Sequence, residues 1–189
     1  MAKIPSDYME RIEALHKTTG EVMQQWAYLE LSLMLLLAQL LNGDQFRARI
    51  VWLSMPNMRA RLDLIRRLGE TFLDESLIQE FRAILRRCKN LGKNRNSLAH
   101  NAGGLDVDAV FTYYQDEDTD DNGIDFTGTG RMPLANILDW PQQIKDLNAT
   151  IVTFAHGTLS SGGQLVQKMH SSPRIQRELF SDHRPKNAK

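Results

Sequence analysis

The chain has 189 residues, of which 42% are hydrophobic, 24% charged and 7% aromatic. That suffices for one sizeable core, is short for two full domains, and is too apolar for a disordered chain. Twenty-three basic residues balance 23 acidic ones, so bulk charge gives no reason to expect attraction to nucleic acid or to a membrane. The single cysteine, Cys88, excludes an internal disulfide framework and any multi-cysteine zinc site. The first seven residues hold no apolar signal core, so secretion is not expected. The longest apolar stretch, 31–41, is too short to span a bilayer and reads as a core helix. The expected class is a cytoplasmic globular protein of one domain.

The balanced charge is unevenly distributed. Residues 1–100 carry 15 basic and 11 acidic groups, residues 101–130 carry 8 acidic groups and no basic one, and residues 131–189 carry 8 basic and 4 acidic. One acidic segment thus masks two mildly basic parts.

In chain order, Ser6 or Asp7 can cap a first helix in which Ile12, Leu15, Val22, Trp26, Leu29, Leu33, Leu36, Leu37 and Leu40 recur at helical spacing. Gly20 is a possible break within it. Asn42-Gly43-Asp44 ends it and caps a short helix over 45–53. Pro56, in a first turn, opens a helix over 57–72. Asp74 caps a long segment over 75–101, with Leu77, Phe81, Ile84, Cys88, Leu91 and Leu98 in register. Four helices joined by short loops predict an all-α antiparallel bundle over 6–101.

Beyond Gly103-Gly104 the period changes to that of a strand, and Asn122-Gly123 is a favoured hairpin turn. An acidic β-hairpin is expected at about 107–129, within a segment 102–132. A further carboxyl-terminal helix is expected over 133–170, followed by a flexible tail over 171–189.

The most informative stretch runs from Arg82 to His100, which contains Arg82, Arg86, Arg87, Lys89, Lys93 and Arg95 and no acid. On a helix, Asn96 and His100 lie only about 40° apart, and Lys89 and Lys93 extend the same polar line. Arg95 instead projects near the middle of the stripe formed by Leu77, Ile84, Leu91 and Leu98. A guanidinium there must meet a carboxylate, a polar network, a partner chain or an anionic ligand. Glu30, the one charged residue between Trp26 and Asp44, is a candidate partner for Arg95 or His100. The alternative is a Glu30 that points to water beside a leucine-rich face.

These residues resemble a known family. Arg95-Asn96-x-x-x-His100, late on the last long helix of an α-bundle, is similar to the R-N-x-x-x-H signature of HEPN domains, and Trp26-x-x-x-Glu30 is similar to bacterial members. The resemblance covers about residues 6–101. It implies metal-independent RNA cleavage from a composite cleft between two protomers, in a toxin-like or defensive setting. Arg95 would bind the phosphate, His100 would act as acid or base, Asn96 would position it, and Glu30 would hold the charged pair.

The residue types suit that chemistry. Attack by a 2′-hydroxyl needs a base, an acid for the leaving oxygen, and positive charge on the phosphorane. Histidine titrates near neutrality, and arginine offers a fixed fork of donors. His100 supplies one proton-transfer group per chain, so a homodimer would supply the second. Arg86, Lys89 and Lys93 would follow an RNA backbone. No cofactor, metal or membrane is implied; RNA and an antitoxin-like protein are the candidate partners. The rival reading is a non-catalytic dimerisation or binding module for protein or nucleotide.

The remaining motifs read as structural. Asp118-x-Asp120-x-Asn122-Gly123 begins like a calcium loop, but Thr129 stands where the bidentate glutamate belongs. His156, His170 and His183 lack ligand spacing, and Cys88 sits in an apolar stripe as a small hydrophobe. Ser160-Ser161-Gly162-Gly163 has no strand–turn–helix setting for a phosphate loop.

Overall fold

The computed structural model describes residues 7–100, 102–105, 109–114 and 128–158. They are predominantly helical: α1 (Tyr8–Leu40), α2 (Gln45–Ser54), α3 (Met58–Phe72), α4 (Glu75–His100) and α5 (Leu134–Thr153), the last continued by a π-helical turn, Phe154–Thr158. Three short strands lie between α4 and α5, namely β1 (Ala102–Leu105), β2 (Ala109–Tyr114) and β3 (Gly128–Pro133).

Side chains set the helix ends. The Asp7 carboxylate accepts from Met9 N–H at the start of α1 (3.2 Å), Asp44 from Arg47 N–H (2.9 Å), and Asn57 from Ala60 N–H (2.9 Å). Because Asn57 is the cap, α3 starts at Met58 and Pro56 lies outside the helix, not in its first turn. Helix α1 closes with Asn42 and Gly43 both in the left-handed region (φ 62° and 80°), which lets Gly43 N–H reach back to the Ala38 carbonyl at 2.8 Å. Gly20 does not break α1. A methyl there would meet nothing within 4 Å, so the site is open and the helix passes through it. Pro141 lies inside α5, buried, a feature the apolar periodicity did not signal.

The strands form one antiparallel sheet in the order β1-β2-β3. Ala109 pairs with Pro133 and Tyr114 with Gly128, and the β1–β2 register shifts between Ala102 and Gly104. The turn Asn122-Gly123, the segment Ile124–Thr127 and the calcium-like loop fall outside the described residues, as do the expected helical stretch 159–170 and the tail.

The chain divides into two compact units, with the divisions falling inside α1, α4 and α5. The first comprises residues 1–33 and 84–151. Its buried side chains are Val22, Trp26, Leu29 and Leu33 of α1, Ile84, Leu85, Cys88, Leu91 and Leu98 of α4, and Leu134, Ile137, Trp140, Ile144, Leu147 and Ile151 of α5. Ser32, buried among them, hydrogen-bonds the Asn148 side chain.

The second unit comprises residues 34–83 and 152–189. Its buried side chains include Leu36, Leu37, Leu40, Ile65 and Leu73 together with three aromatic rings, Trp52, Phe81 and Phe154. Phe81 stacks on Phe154 with centroids 6.0 Å apart, and the Arg61 guanidinium lies 4.7 Å from the ring centre of buried Trp52. Helix α3 carries an exposed ion network in which Arg66 and Arg67 bind Asp63, and Arg66 and Arg82 bind Glu70.

Two glycines should respond in opposite directions. At Gly69 a methyl carbon would fall 2.2 Å from the fully buried Phe81 ring, so Gly69→Ala should cost about 1–3 kcal/mol. Gly20→Ala, in open helix, should stabilise by up to about 1 kcal/mol. Urea denaturation of the two variants checks both signs.

Candidate functional site

The basic half of α4 separates into two kinds of cation. Arg86, Lys89 and Lys93 are exposed, with Asn96 on the same solvent side. Arg95 is half-buried, flanked in sequence by buried Leu91, Ser97 and Leu98. An arginine in that position keeps its charge at any physiological pH, so its surroundings have to accommodate a permanent cation.

Trp26 of α1 provides most of that accommodation. Its indole is 3% exposed and packs against α4 at Gly92, where a methyl carbon would stand only 3.1 Å from Cη2. The absent side chain at Gly92 therefore lets the ring lie close to the helix backbone. Three residues further along α4, the Arg95 guanidinium carbon sits 5.9 Å from the centre of the same ring, within cation–π range. At the ring edge, Nε1–H donates to Glu30 Oε1 at 2.9 Å. Trp26 and Glu30 are one helical turn apart on α1, a spacing that brings their side chains together.

The carboxylate and the guanidinium thus meet one indole at different places. The Arg95 Nη1 donates to the carboxamide oxygen of Asn96 at 2.8 Å, and its Nε–H is buried without a hydrogen-bond partner among the described residues. Among the described residues, the compensating neighbours of Arg95 are an aromatic face and an amide, and Glu30 holds the N–H of the same indole. Asn96, expected to position His100, has its oxygen engaged by Arg95. His100 is the last residue of α4, one turn beyond Asn96, and its side chain lies outside the described residues.

Cys88 is buried, and burial pushes its thiol up to about 12, only partly offset by nearby Arg87. A thiol so resistant to ionisation is no nucleophile at neutral pH. His156 is exposed, while His170 and His183 fall outside the described residues. Among the described residues there is no group of three or more histidine, cysteine, aspartate or glutamate side chains that could hold a metal. Also among them, no helix is long and apolar enough to cross a membrane.

Sequence reasoning placed Trp26 in the core and attached no role to Gly92. The available signal was that Gly92 stands one turn before Arg95, with Trp26 and Glu30 four apart on the opposing helix. Comparison with protein-family models, with curated proteins and with solved structures finds no match.

The Cys88 environment predicts an alkaline limb of stability. Its thiol has an ordinary value of 9.0 when unfolded and about 12 when folded. Below pH 9 both states hold the proton and the contribution is complete. Between pH 9 and 12 only the unfolded chain loses it, so stability falls as pH rises, by up to about 1.4 kcal/mol per pH unit. Denaturation of Cys88→Ala over the same range should show a correspondingly shallower slope. Separately, Trp26→Phe keeps a ring under Arg95 but removes the indole N–H, and should cost about 1–2 kcal/mol in urea denaturation.

Proposed function

We propose that this chain is a metal-independent RNA endonuclease of the HEPN type, a HEPN-like helical bundle with a β-hairpin and a further helix, acting as a cytoplasmic homodimer. The observation that supports this reading is the restraint on Arg95. Its guanidinium is fixed by the Trp26 ring and Asn96, yet remains half-exposed beside a row of solvent-facing cations, one turn before a histidine. A cation held in place before substrate arrives contributes more to a phosphorane than a mobile one, because less reorganisation is needed.

In this mechanism His100 of one protomer takes the proton from a ribose 2′-hydroxyl, and the oxygen attacks the adjacent phosphorus. The partner subunit's His100, protonated, gives its proton to the departing 5′-oxygen, leaving a 2′,3′-cyclic phosphate on one fragment and a 5′-hydroxyl on the other. Arg95 stabilises the charge on the phosphorane. Trp26 and Glu30 act through Arg95 as positioning residues. Arg86, Lys89 and Lys93 follow the backbone of the bound strand. A toxin-like or defensive role, with an antitoxin-like protein as partner, belongs to the same proposal.

One observation favours the second reading, a non-catalytic dimerisation or binding module. Arg95 already gives its face to Trp26 and one amino group to Asn96, which is also how a purely structural arginine would be housed.

The readings separate in one experiment. With purified full-length protein and labelled RNA, cleavage should proceed in EDTA and fall at least 100-fold in His100→Ala and in Arg95→Lys, with circular dichroism unchanged. Reversing Lys89 and Lys93 to glutamate should raise KM more than it lowers kcat. Absence of cleavage in the wild-type protein, or loss of activity in EDTA, overturns the nuclease reading.

A further inference from the structure

Helix α2 lies wholly within the second unit and is packed on one side only. Ala48 and Trp52, four residues apart, are 0% and 5% exposed and form its buried side. The opposite side is also apolar: Phe46, Ile50 and Leu53 are 75%, 55% and 67% exposed. At about 100° per residue these three fall within about 60° of one another, roughly opposite the buried pair. A helix apolar on both sides is one that belongs in an interior, and a contiguous exposed apolar face is characteristic of an interaction surface.

The charges beside this face narrow the choice of occupant. Helix α2 contains two arginines and no acidic residue. Arg49 and Arg47 project about 40° and 60° outside the two edges of the apolar face, so one cation borders it on each side. Arg47 shares its charge with Asp44 at 3.0 Å, while Arg49 is exposed with no ion pair among the described residues. The neighbouring Arg61 is directed to the Trp52 ring. A second copy laid on this face about a two-fold axis would set arginine against arginine, with no acid on α2 to relieve them. Bare phosphate or a nucleic-acid backbone would satisfy the arginines and leave three large apolar side chains in water.

We infer that the outer face of α2 is a docking surface for an acidic amphipathic helix of a partner protein. Its apolar residues would cover Phe46, Ile50 and Leu53, and its flanking carboxylates would meet Arg47 and Arg49. This is the helix-against-helix mode of recognition, in which apolar anchors give affinity and flanking charges give specificity. None of Phe46, Ile50, Leu53, Arg47 and Arg49 belongs to the proposed nuclease residues, and the inference does not depend on the nuclease reading.

The test uses the full-length protein and a fluorescent synthetic helical peptide with leucines at i, i+3, i+4 and i+7 and glutamates elsewhere. A second peptide carries lysine at every glutamate position. Fluorescence anisotropy should show the glutamate peptide binding at least 10-fold more tightly than the lysine peptide. Leu53→Asp and Phe46→Asp, both at exposed positions, should weaken it at least 10-fold with an unchanged helical spectrum. Arg49→Glu should narrow the difference between the two peptides, and His100→Ala should leave binding intact. The inference is overturned if the glutamate peptide does not bind, or if both peptides bind equally. It is also overturned if Leu53→Asp instead halves the sedimenting mass, or abolishes binding to phosphatidylglycerol vesicles or an RNA oligonucleotide while the peptide is ignored.

Discussion

The first unit depends on what Trp26 does with each part of its indole. The ring edge presses on the backbone of α4 at Gly92, the face receives Arg95, and the N–H is taken by Glu30. A phenyl ring is too short to reach Gly92 with the atoms the indole uses there and has no N–H for Glu30, and an aliphatic side chain has neither face nor donor. One buried aromatic residue thus both joins two helices and receives the half-buried cation Arg95 on its face. Structure and candidate chemistry are consequently coupled at this position. A change at Trp26 alters packing and the environment of Arg95 together, whereas a change at exposed Lys89 or Lys93 alters charge alone.

Both units combine buried aliphatic side chains with a few buried aromatic rings. Residues of α1, α4 and α5 give the first unit a largely aliphatic core, within which the Ser32–Asn148 hydrogen bond satisfies a buried hydroxyl. In the second, Phe81 packs over Gly69 and stacks on Phe154 within a core that also buries Leu36, Leu37, Leu40 and Ile65. Its surface network around Asp63 and Glu70 adds little to stability, since ion pairs in water are screened and entropically costly. The Arg66 side chain nevertheless holds the Asp63 carboxyl below its ordinary value, with Arg67 acting in the same direction.

A division of labour among cations follows from burial. Arg95 is immobilised and partly desolvated, the state in which a charge acts most strongly on a nearby phosphate. Arg86, Lys89 and Lys93 are exposed to solvent, where a charge acts on a polyanion without reading it. Arg47 and Arg49 are different again, because they border exposed apolar side chains, a combination that suits a protein surface.

Sequence alone was enough to place α1 to α4 approximately, because apolar residues at three- and four-residue spacing, with Asp7 and Asp44 as caps, leave few other solutions; only at α3 did it misjudge the start, giving Pro56 the first turn where Asn57 is the cap. It also marked Arg95 as a cation on an apolar stripe that required compensation. Position along one helix follows from local periodicity, and those statements needed nothing more. The identity of the compensating group was different. Glu30, Trp26, Gly92 and Asn96 were all visible, but whether a carboxylate, a ring face or an amide would reach the guanidinium depends on how closely two helices approach. Gly92 permits that approach only because of what faces it. Likewise the apolar residues of α2 recur on both of its sides, so periodicity could not tell the packed face from the open one. Burial is a property of the neighbours, and only the tertiary structure assigns neighbours.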